Sequence, residues 1–401
     1  MDKNRVITRR HACLLGLATL TGMGALTVVA RVRHLNSQIP AIGEKERDFA
    51  VIGDTSLRDR ATAKGLLYGA TGTQSRLSKD SEFAARFVKE CAILVPEWDL
   101  KWKALRPTPD SFDFSRGDWL VKFAQTHGLL FRGHTLVWHE DLPQWFAGTV
   151  NSQNAKQILV KHIATVVKHY AGKIHSWDVV NEAILPGDKR PDGLRDSPWL
   201  NFLGPDYIEI AFRAAAEADP QALLVYNQNR LEYELPDNEA SRTAVLRLLE
   251  RLKSRGTPVQ ALGLQSHLRA DETKFNPTKL RTFLKEVADL GLKILITEMD
   301  VTDQKLPLNA GVRDRIIARV YEDYLSAVLE EPAVIAVLTW GLSDRYTWLS
   351  DYKPREDKAP VRPLPLDAEL KRKLAWNAIA RAFEKAPMRS HAITFSKRKF
   401  L

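Results

Sequence analysis

The 401-residue chain contains little cysteine: Cys13 and Cys91 are its two cysteines, and Cys13 lies in an apolar run near the N-terminus. A chain that loses this run keeps one thiol, which excludes an internal disulfide and a metal site built on cysteine. A zinc site is also disfavoured, because His134 and His139 lack the ligand cluster and supporting groups that zinc needs. Internal repeats and low-complexity segments are absent from the sequence too. We therefore expect a globular protein without a metal centre.

Charge of one sign is in moderate excess, with 59 Lys and Arg against 49 Asp and Glu and a formal net charge of +10. The basic residues are scattered, apart from a small cluster at Lys397–Lys399, and no nucleic-acid motif accompanies them. An acidic polymer or an envelope surface would suit this balance. We interpret it as a solvated surface and expect no nucleic-acid partner.

Residues 1–30 are typical of an export signal. A basic stretch that contains the pair Arg9–Arg10 precedes an apolar run from Ala12 to Ala30, whose last three residues would serve as a cleavage site. The arginine pair resembles a twin-arginine signal. An uncleaved anchor is the alternative, because about 19 apolar residues can just span a bilayer. We expect export to the periplasm or the medium, a linker or lead-in over residues 31–60 and a basic tail over residues 391–401.

Residues 61–390 alternate apolar, strand-like runs with amphipathic, helix-like stretches. Eight buried strands that alternate with helices predict an α/β protein built as a single (β/α)₈ TIM barrel. The eight runs are Leu66–Ala70, Ala92–Val95, Leu129–Gly133, Ile174–Val180, Leu223–Asn227, Ala261–Gln265, Lys293–Thr297 and Ile335–Thr339.

Active residues of such a barrel follow the carboxyl ends of its strands. Polar and aromatic residues do concentrate there, namely Glu97, His134, Asn181, Glu182, Gln265, His267, Glu298 and Trp340. Two of these carboxylates suit a glycosidase, which needs one acid to protonate the leaving oxygen and one carboxylate to attack the sugar. A lone glutamate at a strand end is more often a partner in a salt bridge, so the prediction depends on the combination.

The two acids are expected to take different roles because their surroundings differ. Glu182 is expected beside apolar and aromatic surface and is the better candidate for the acid. Glu298 lies two residues before Asp300, and His267 could bridge the two carboxylates and hold Glu298 ionised as a nucleophile. The amide of Asn181 would hold a hydroxyl of the sugar.

Flat aromatic side chains suit sugar binding, because pyranose rings present apolar CH faces. Trp138, Trp340 and Trp348 are the candidates for this role, and the last two fit a loop at the rim. Trp177 and Trp376 fit strand and helix patterns and are expected in the core.

Five segments together resemble glycoside hydrolase family 10, the retaining endo-β-1,4-xylanases on a (β/α)₈ barrel. They are Arg132–His139, Trp177–Glu182, Leu262–Leu268, Ile296–Asp300 and Thr339–Asp344. The resemblance implies Glu182 as acid/base, Glu298 as nucleophile, xylan as substrate, no cofactor and a monomer. It also implies that a further set contacts sugar or supports the acids: Lys101, His134, Trp138, Asn181, Gln265, His267, Trp340 and Trp348.

Three positions depart from the family pattern. Trp98 stands where an asparagine usually binds the sugar one place beyond the cleaved residue, Asp141 replaces a usual glutamine and Gln228 replaces a usual aspartate. The first two, Trp98 and Asp141, fall on the same distal subsite, so we expect retained chemistry with altered recognition of the glycone beyond the scissile sugar. Two alternatives stay open: a retaining hydrolase of another β-linked glycan or glycoside, and a sugar-binding barrel without turnover.

Overall fold

The structure, a computed structural model, describes residues 47–389. The predicted signal at residues 1–30, most of the predicted linker and the basic tail lie outside the described residues. Within residues 47–389, no helix is long and apolar enough to cross a membrane.

Nine strands occur in the described part of the chain, one more than the sequence predicts. Their residues are almost all buried, as expected for strands covered on both faces. The strands are β1 Leu67–Gly72, β2 Ile93–Pro96, β3 Leu130–Gly133, β4 Ser176–Asn181, β5 Leu223–Gln228, β6 Ala261–Leu264, β7 His267–Arg269, β8 Lys293–Thr302 and β9 Val334–Thr339.

Eight of these strands close into a parallel barrel. β1 to β6 pair in chain order, β6 pairs with β8, β8 with β9 and β9 with β1. The short β7 pairs with the second half of β8, so that His267 lies opposite Asp300. This extra pairing explains why β8 runs to Thr302 rather than ending at Thr297. The predicted (β/α)₈ fold is confirmed.

Helices surround the barrel and occupy the amphipathic stretches between the strands. Asp80, Asn276 and Asn309 cap three of them by accepting backbone N–H groups. The helices are α1 Leu57–Thr62, α2 Gln74–Lys79, α3 Ser81–Glu90, α4 Trp102–Leu105, α5 Ser115–Thr126, α6 Trp145–Thr149, α7 Ala155–His169, α8 Pro198–Leu203, α9 Tyr207–Ala218, α10 Pro236–Ser254, α11 Pro277–Asp289, α12 Ala310–Val328, α13 Leu349–Tyr352 and α14 Leu374–Lys385.

The compact unit that contains the barrel starts earlier than the sequence predicts. The predicted boundary at residue 60 falls inside α1, and the compact unit begins at Phe49. Phe49, Leu57 and Ala61 are buried in its hydrophobic core. The part of the lead-in from Phe49 onward therefore belongs to this unit, because these side chains bury apolar surface within it.

Trp177 and Trp376 are buried core residues, as predicted, and Cys91 is buried as well. Trp177 also requires a glycine in the neighbouring strand: a Cβ added to Gly133 would lie 2.1 Å from the Trp177 ring. Close packing of this kind fixes β3 against β4 and hence the residues that follow both strands.

Candidate active site

The first carboxylate, Glu298, lies in β8 and receives two hydrogen bonds from side chains. His267 Nε2 is 3.2 Å from Glu298 Oε2, and Asn227 Nδ2 donates to Glu298 Oε1 at 2.7 Å. The other ring nitrogen of His267 is 3.0 Å from Asp300 Oδ1. The bridge that the sequence predicts is thus present, and it follows from the pairing of β7 with β8.

The bridge creates a charged arrangement in a buried place. Burial alone would lower the pKa of His267, but the carboxylates of Asp300 and Glu298 raise that pKa well above its ordinary value. Burial likewise works to raise the pKa of Glu298, yet bonding to His267 and the nearby charge of His134 keep it below the ordinary value. A protonated His267 between two carboxylates therefore keeps Glu298 ionised, as a nucleophile requires.

The second carboxylate, Glu182, directly follows β4 with a φ of 56°, in the left-handed region that glutamate rarely adopts. Gln265 Nε2 donates to its Oε1 at 2.8 Å, and Arg195 Nη2 lies 3.5 Å from its Oε2. Arg195 Nε also donates to the Glu182 carbonyl at 2.7 Å. The surroundings that the sequence predicts as apolar and aromatic therefore include a guanidinium. Arg195 comes from the loop before α8, which no pattern near Glu182 indicates.

A chain of amide side chains connects the two carboxylates. Asn181 Oδ1 accepts from Gln265 Nε2 at 3.2 Å and from Asn227 Nδ2 at 2.9 Å. Gln265 continues to Glu182 and Asn227 continues to Glu298. Because its oxygen is taken, Asn181 has its amide N–H groups left to donate to a substrate hydroxyl. Asn227 is a residue of this network that sequence reasoning missed, although its neighbour Gln228 was singled out.

His134 and two tryptophans complete the surroundings of Glu298. His134 Nδ1 is 3.0 Å from Asp178 Oδ2, and its ring meets the Trp340 ring edge-on at 5.2 Å. Trp348 Nε1 donates to Asp300 Oδ2 at 2.8 Å. Trp340 is 7% exposed, so it is more enclosed than the predicted rim position implies. The two tryptophan rings thus lie against His134, His267 and Asp300, close to Glu298.

Two carboxylates and a histidine that bridges two acids lie at the mouth of a (β/α)₈ barrel. The sequence also matches the model of one protein family. The family model Glycosyl hydrolase family 10 matches residues 56–382. The chain belongs to glycosyl hydrolase family 10.

Relatives from several organisms share this family's sequence pattern. The chain is 34% identical over 276 residues to endo-1,4-beta-xylanase B of Thermotoga neapolitana. The match covers 68% of this chain and 76% of that protein. It is 37% identical over 265 residues to a beta-1,4-xylanase of Dictyoglomus thermophilum, with 64% and 72% covered. An exoglucanase of Acetivibrio thermocellus is 33% identical over 78% of this chain and 28% of its own length.

Solved structures agree with the family assignment. Xylanase 10B of Thermotoga petrophila RKU-1, solved in complex with xylobiose, superposes with a TM-score of 0.76 at 32% identity. The match covers 84% of this chain and 99% of that one.

The family departures Trp98 and Asp141 meet at one buried cation. Lys101 Nζ lies 4.0 Å from the centre of the Trp98 ring, 4.6 Å from that of Trp138 and 3.1 Å from Asp141 Oδ2. Lys101 is 5% exposed, whereas Trp98 is 43% exposed. We call these four residues the Lys101 cluster. Sequence reasoning assigned Trp98 and Asp141 to the same subsite, and the structure brings them together through Lys101.

Glu97 borders the Lys101 cluster and has both carboxylate oxygens occupied. Trp98 Nε1 donates to Glu97 Oε1 at 2.9 Å, and Arg76 pairs with Oε2. Burial raises the pKa of Glu97, against the opposing effect of Arg76. Glu97 and Lys101 therefore share Trp98 as a partner.

The third departure, Gln228, is buried and supports the chain after Glu182. Its side-chain oxygen accepts from Ile184 N at 3.1 Å, and its Nε2 donates to the Ile184 carbonyl at 3.0 Å. The usual aspartate could accept but not donate. The Gln228 amide therefore holds both backbone polar groups of Ile184, two residues beyond the candidate acid.

Proposed function

We propose that this family 10 protein is a retaining endo-β-1,4-xylanase that hydrolyses internal bonds of xylan by double displacement. The single observation that carries the proposal is the bridge of His267 between Glu298 and Asp300, which prepares an ionised carboxylate beside a second acid. Membership of glycosyl hydrolase family 10 and the xylanase relatives support the substrate.

Glu298 is the proposed nucleophile. Its carboxylate attacks the anomeric carbon as the glycosidic bond breaks, which forms a covalent glycosyl-enzyme. His267 and Asn227 donate to its two oxygens and orient it. Ionisation is retained because charge on His267 offsets the cost of burial.

Glu182 is the proposed acid/base. It protonates the departing oxygen in the first step and then takes a proton from the water that releases the sugar. Gln265 and Arg195 fix its two oxygens, and the left-handed backbone of Glu182 sets the direction of the side chain.

The proposed substrate contacts surround these acids. Asn181 offers N–H donors to a hydroxyl, while aromatic rings cover the apolar faces of the sugar. The side chains in this group are Glu97, Lys101, His134, Trp138, Gln265, Trp340 and Trp348.

The Lys101 cluster supports altered recognition of the glycone sugar beyond the scissile one. Both oxygens of Glu97 and the ammonium of Lys101 are already bound within the protein, and the exposed group is the Trp98 indole. A second glycone sugar therefore reaches Glu97 and Lys101 only in competition with their partners in the protein. It gains less binding than an asparagine at position 98 would supply.

Incubation with xylan and with 4-nitrophenyl β-xylobioside tests the main proposal. We expect reducing ends and β-anomeric products from the wild type and none from Glu298→Ala, because the nucleophile is removed. Glu330→Ala serves as the control, since Glu330 is exposed and pairs with Arg281 on the outside of the barrel. Turnover of neither substrate would contradict the xylanase.

The ratio of kcat/KM for 4-nitrophenyl xylobioside to that for the xyloside tests the altered subsite. The two substrates differ by the second glycone sugar alone. We expect Trp98→Asn to raise the ratio about tenfold, which is the effect of one or two new hydrogen bonds. Met388→Asn is the matched control, because it also replaces an exposed apolar side chain with asparagine. Met388 lies far along the chain, next to Arg389, which bonds the carbonyl group at the start of β9. An unchanged ratio would contradict the altered subsite.

A second candidate is a retaining hydrolase of another β-linked glycan with the same acids. The changed residues Trp98 and Asp141 favour it, as does the name of the Acetivibrio thermocellus relative, an exoglucanase. Glucan, mannan and aryl glycosides assayed beside xylan separate the two. A sugar-binding barrel without turnover would bind xylo-oligosaccharides and hydrolyse none of them.

We also propose that the protein is exported and works as a monomer without a nucleic-acid partner. The twin-arginine-like sequence at residues 1–30 supports export. The mass of the mature N-terminus after expression in a host with this pathway tests cleavage, and light scattering tests the monomer.

A further inference from the structure

The turn between β6 and β7 holds both catalytic carboxylates. Gln265 lies before Ser266 and bonds Glu182, while His267 lies after it and bonds Glu298 and Asp300. A shift of this turn therefore moves the partners of the acid and of the nucleophile together.

Ser266, in the middle of this turn, has an unfavourable backbone conformation. Its φ is 63°, a left-handed value that a non-glycine residue rarely takes without support from its surroundings. Its N–H donates to Glu232 Oε1 at 3.2 Å, and its hydroxyl lies 2.7 Å from the Tyr324 hydroxyl of α12.

Glu232 is a buried carboxylate that the reaction steps above do not use. It is 4% exposed, and its second oxygen accepts from Leu231 N at 2.9 Å. Burial raises its pKa, while its bonds to backbone N–H groups and the charge of His267 oppose that effect. Four charged or titratable groups interact electrostatically with Glu232. They are His267 of β7, Tyr324 of α12, Arg242 of α10 and Tyr233 of its own loop.

Glu232 is itself held in place. Arg242 Nη1 donates to the carbonyls of Leu231 and Tyr233, at 2.8 and 2.9 Å. The carbonyl groups on both sides of Glu232 are thereby bonded to α10. These bonds fix the backbone of Glu232, and so its carboxylate can hold the turn in place.

We propose that Glu232 is a positioning residue of the reaction, whose buried carboxylate holds the Ser266 turn so that Gln265 and His267 meet the two acids. This inference rests on the proposed function. Glu232 acts through the turn and touches neither the substrate nor the reacting atoms.

The test is inactivation by a 2,4-dinitrophenyl 2-deoxy-2-fluoro-β-xylobioside. A Glu298 oxygen bonds to the anomeric carbon, and dinitrophenolate leaves with the electron pair of the broken bond. This step needs no acid, so its rate constant reports the placement of the nucleophile. In Glu232→Gln, the side chain keeps one oxygen, so one of its two backbone donors, Ser266 N–H or Leu231 N–H, faces an amide N–H and loses its acceptor. We expect the maximal inactivation rate to fall about 10- to 100-fold, the effect of a small misplacement of a reacting group. The inactivator concentration at half-maximal rate stays near the wild-type value.

Glu234→Gln is the matched control. Glu234 lies two residues further along the same loop, is partly exposed and bonds Asn276 and Lys279 of the α11 region. We expect this variant to be inactivated at the wild-type rate. A melting temperature for each variant separates misplacement from unfolding, because a purely structural role would lower the melting temperature and leave the rate of the folded enzyme unchanged.

Three results would decide against the proposal. A wild-type rate in folded Glu232→Gln overturns the role of Glu232 but not the proposed function. An equal loss of rate in Glu234→Gln does the same. A wild type that is never labelled overturns the proposed function, and this inference falls with it. If Glu232→Gln does not fold, Glu232→Asp replaces it: the shorter carboxylate retracts from the turn, so the same loss is expected, and a wild-type rate overturns the proposal.

Discussion

The centre of the cleft and the Lys101 cluster use similar residues in opposite ways. Around Glu298 and Glu182, the side chains of Asn227, His267 and Gln265 bond the carboxylates that are proposed to react. Around Lys101, charge and indole rings satisfy one another, and the exposed surface is Trp98. The two regions therefore carry separate proposals, retained chemistry at the centre and altered sugar recognition at the Lys101 cluster. Variants in the centre should therefore affect the chemical step, and variants in the cluster should affect the choice of substrate.

Glu182→Ala should give the largest effect and the sharpest contrast within the centre. We expect kcat on xylan to fall about 10²- to 10⁴-fold, because the leaving oxygen loses its acid. The rate of glycosyl-enzyme formation from a 2,4-dinitrophenyl xylobioside should stay close to that of the wild type, since this leaving group needs no proton. Pre-steady-state release of dinitrophenolate measures it. Equal losses on both substrates would remove Glu182 from the acid role.

His267→Gln should reduce kcat/KM about 10- to 100-fold, as loss of a supporting partner commonly does. The folded-state pKa of Glu298 is held below its ordinary value, so activity that needs the carboxylate is lost only as the pH falls through that lowered pKa. Without the His267 charge, the pKa of Glu298 rises and the acidic limb of the pH profile should move to higher pH. A profile of kcat/KM from pH 3 to 8 checks this. An unmoved acidic limb would contradict the electrostatic role of His267.

Gln228→Ala tests the support beneath the centre rather than its chemistry. The variant leaves the buried N–H and carbonyl of Ile184 without their partners, and we expect the free energy of unfolding to fall by about 1–3 kcal/mol. Denaturant titration measures the loss. Gln153→Ala, on the exposed start of the stretch before α7, should change stability little. Equal losses in both variants would mean that the Ile184 contacts contribute nothing special.

Asp141→Asn should give the smallest effect and belongs to the Lys101 cluster. Its φ is 53°, which asparagine tolerates well, so the backbone should be kept while the charge beside Lys101 is removed. We expect kcat on 4-nitrophenyl β-xyloside to stay near the wild-type value and KM for the xylobioside to change a few-fold, as expected for loss of one partly exposed charge pair. A fall in kcat on both substrates would show that the cluster is not separate from the centre.

The fold could be predicted from the sequence because eight apolar runs alternate with amphipathic stretches of regular length. The bridge of His267 could be predicted as well, since its partners Glu298 and Asp300 are two residues apart on one strand. Arg195, Asn227 and Glu232 could not. Arg195 and Glu232 come from loops, and the path of a loop depends on packing. The short strand β7 is likewise too brief to show a periodic pattern in the sequence. The early start of the barrel was missed because single apolar residues such as Phe49 and Leu57 show no period in a polar stretch.

Mass spectrometry of the protein after treatment with the fluorinated xylobioside identifies the nucleophile. We expect a single adduct of one fluoroxylobiosyl group on the peptide that contains Glu298, and no adduct in Glu298→Ala. An adduct on another residue, or none on an enzyme that hydrolyses xylan, would contradict the assignment of the nucleophile.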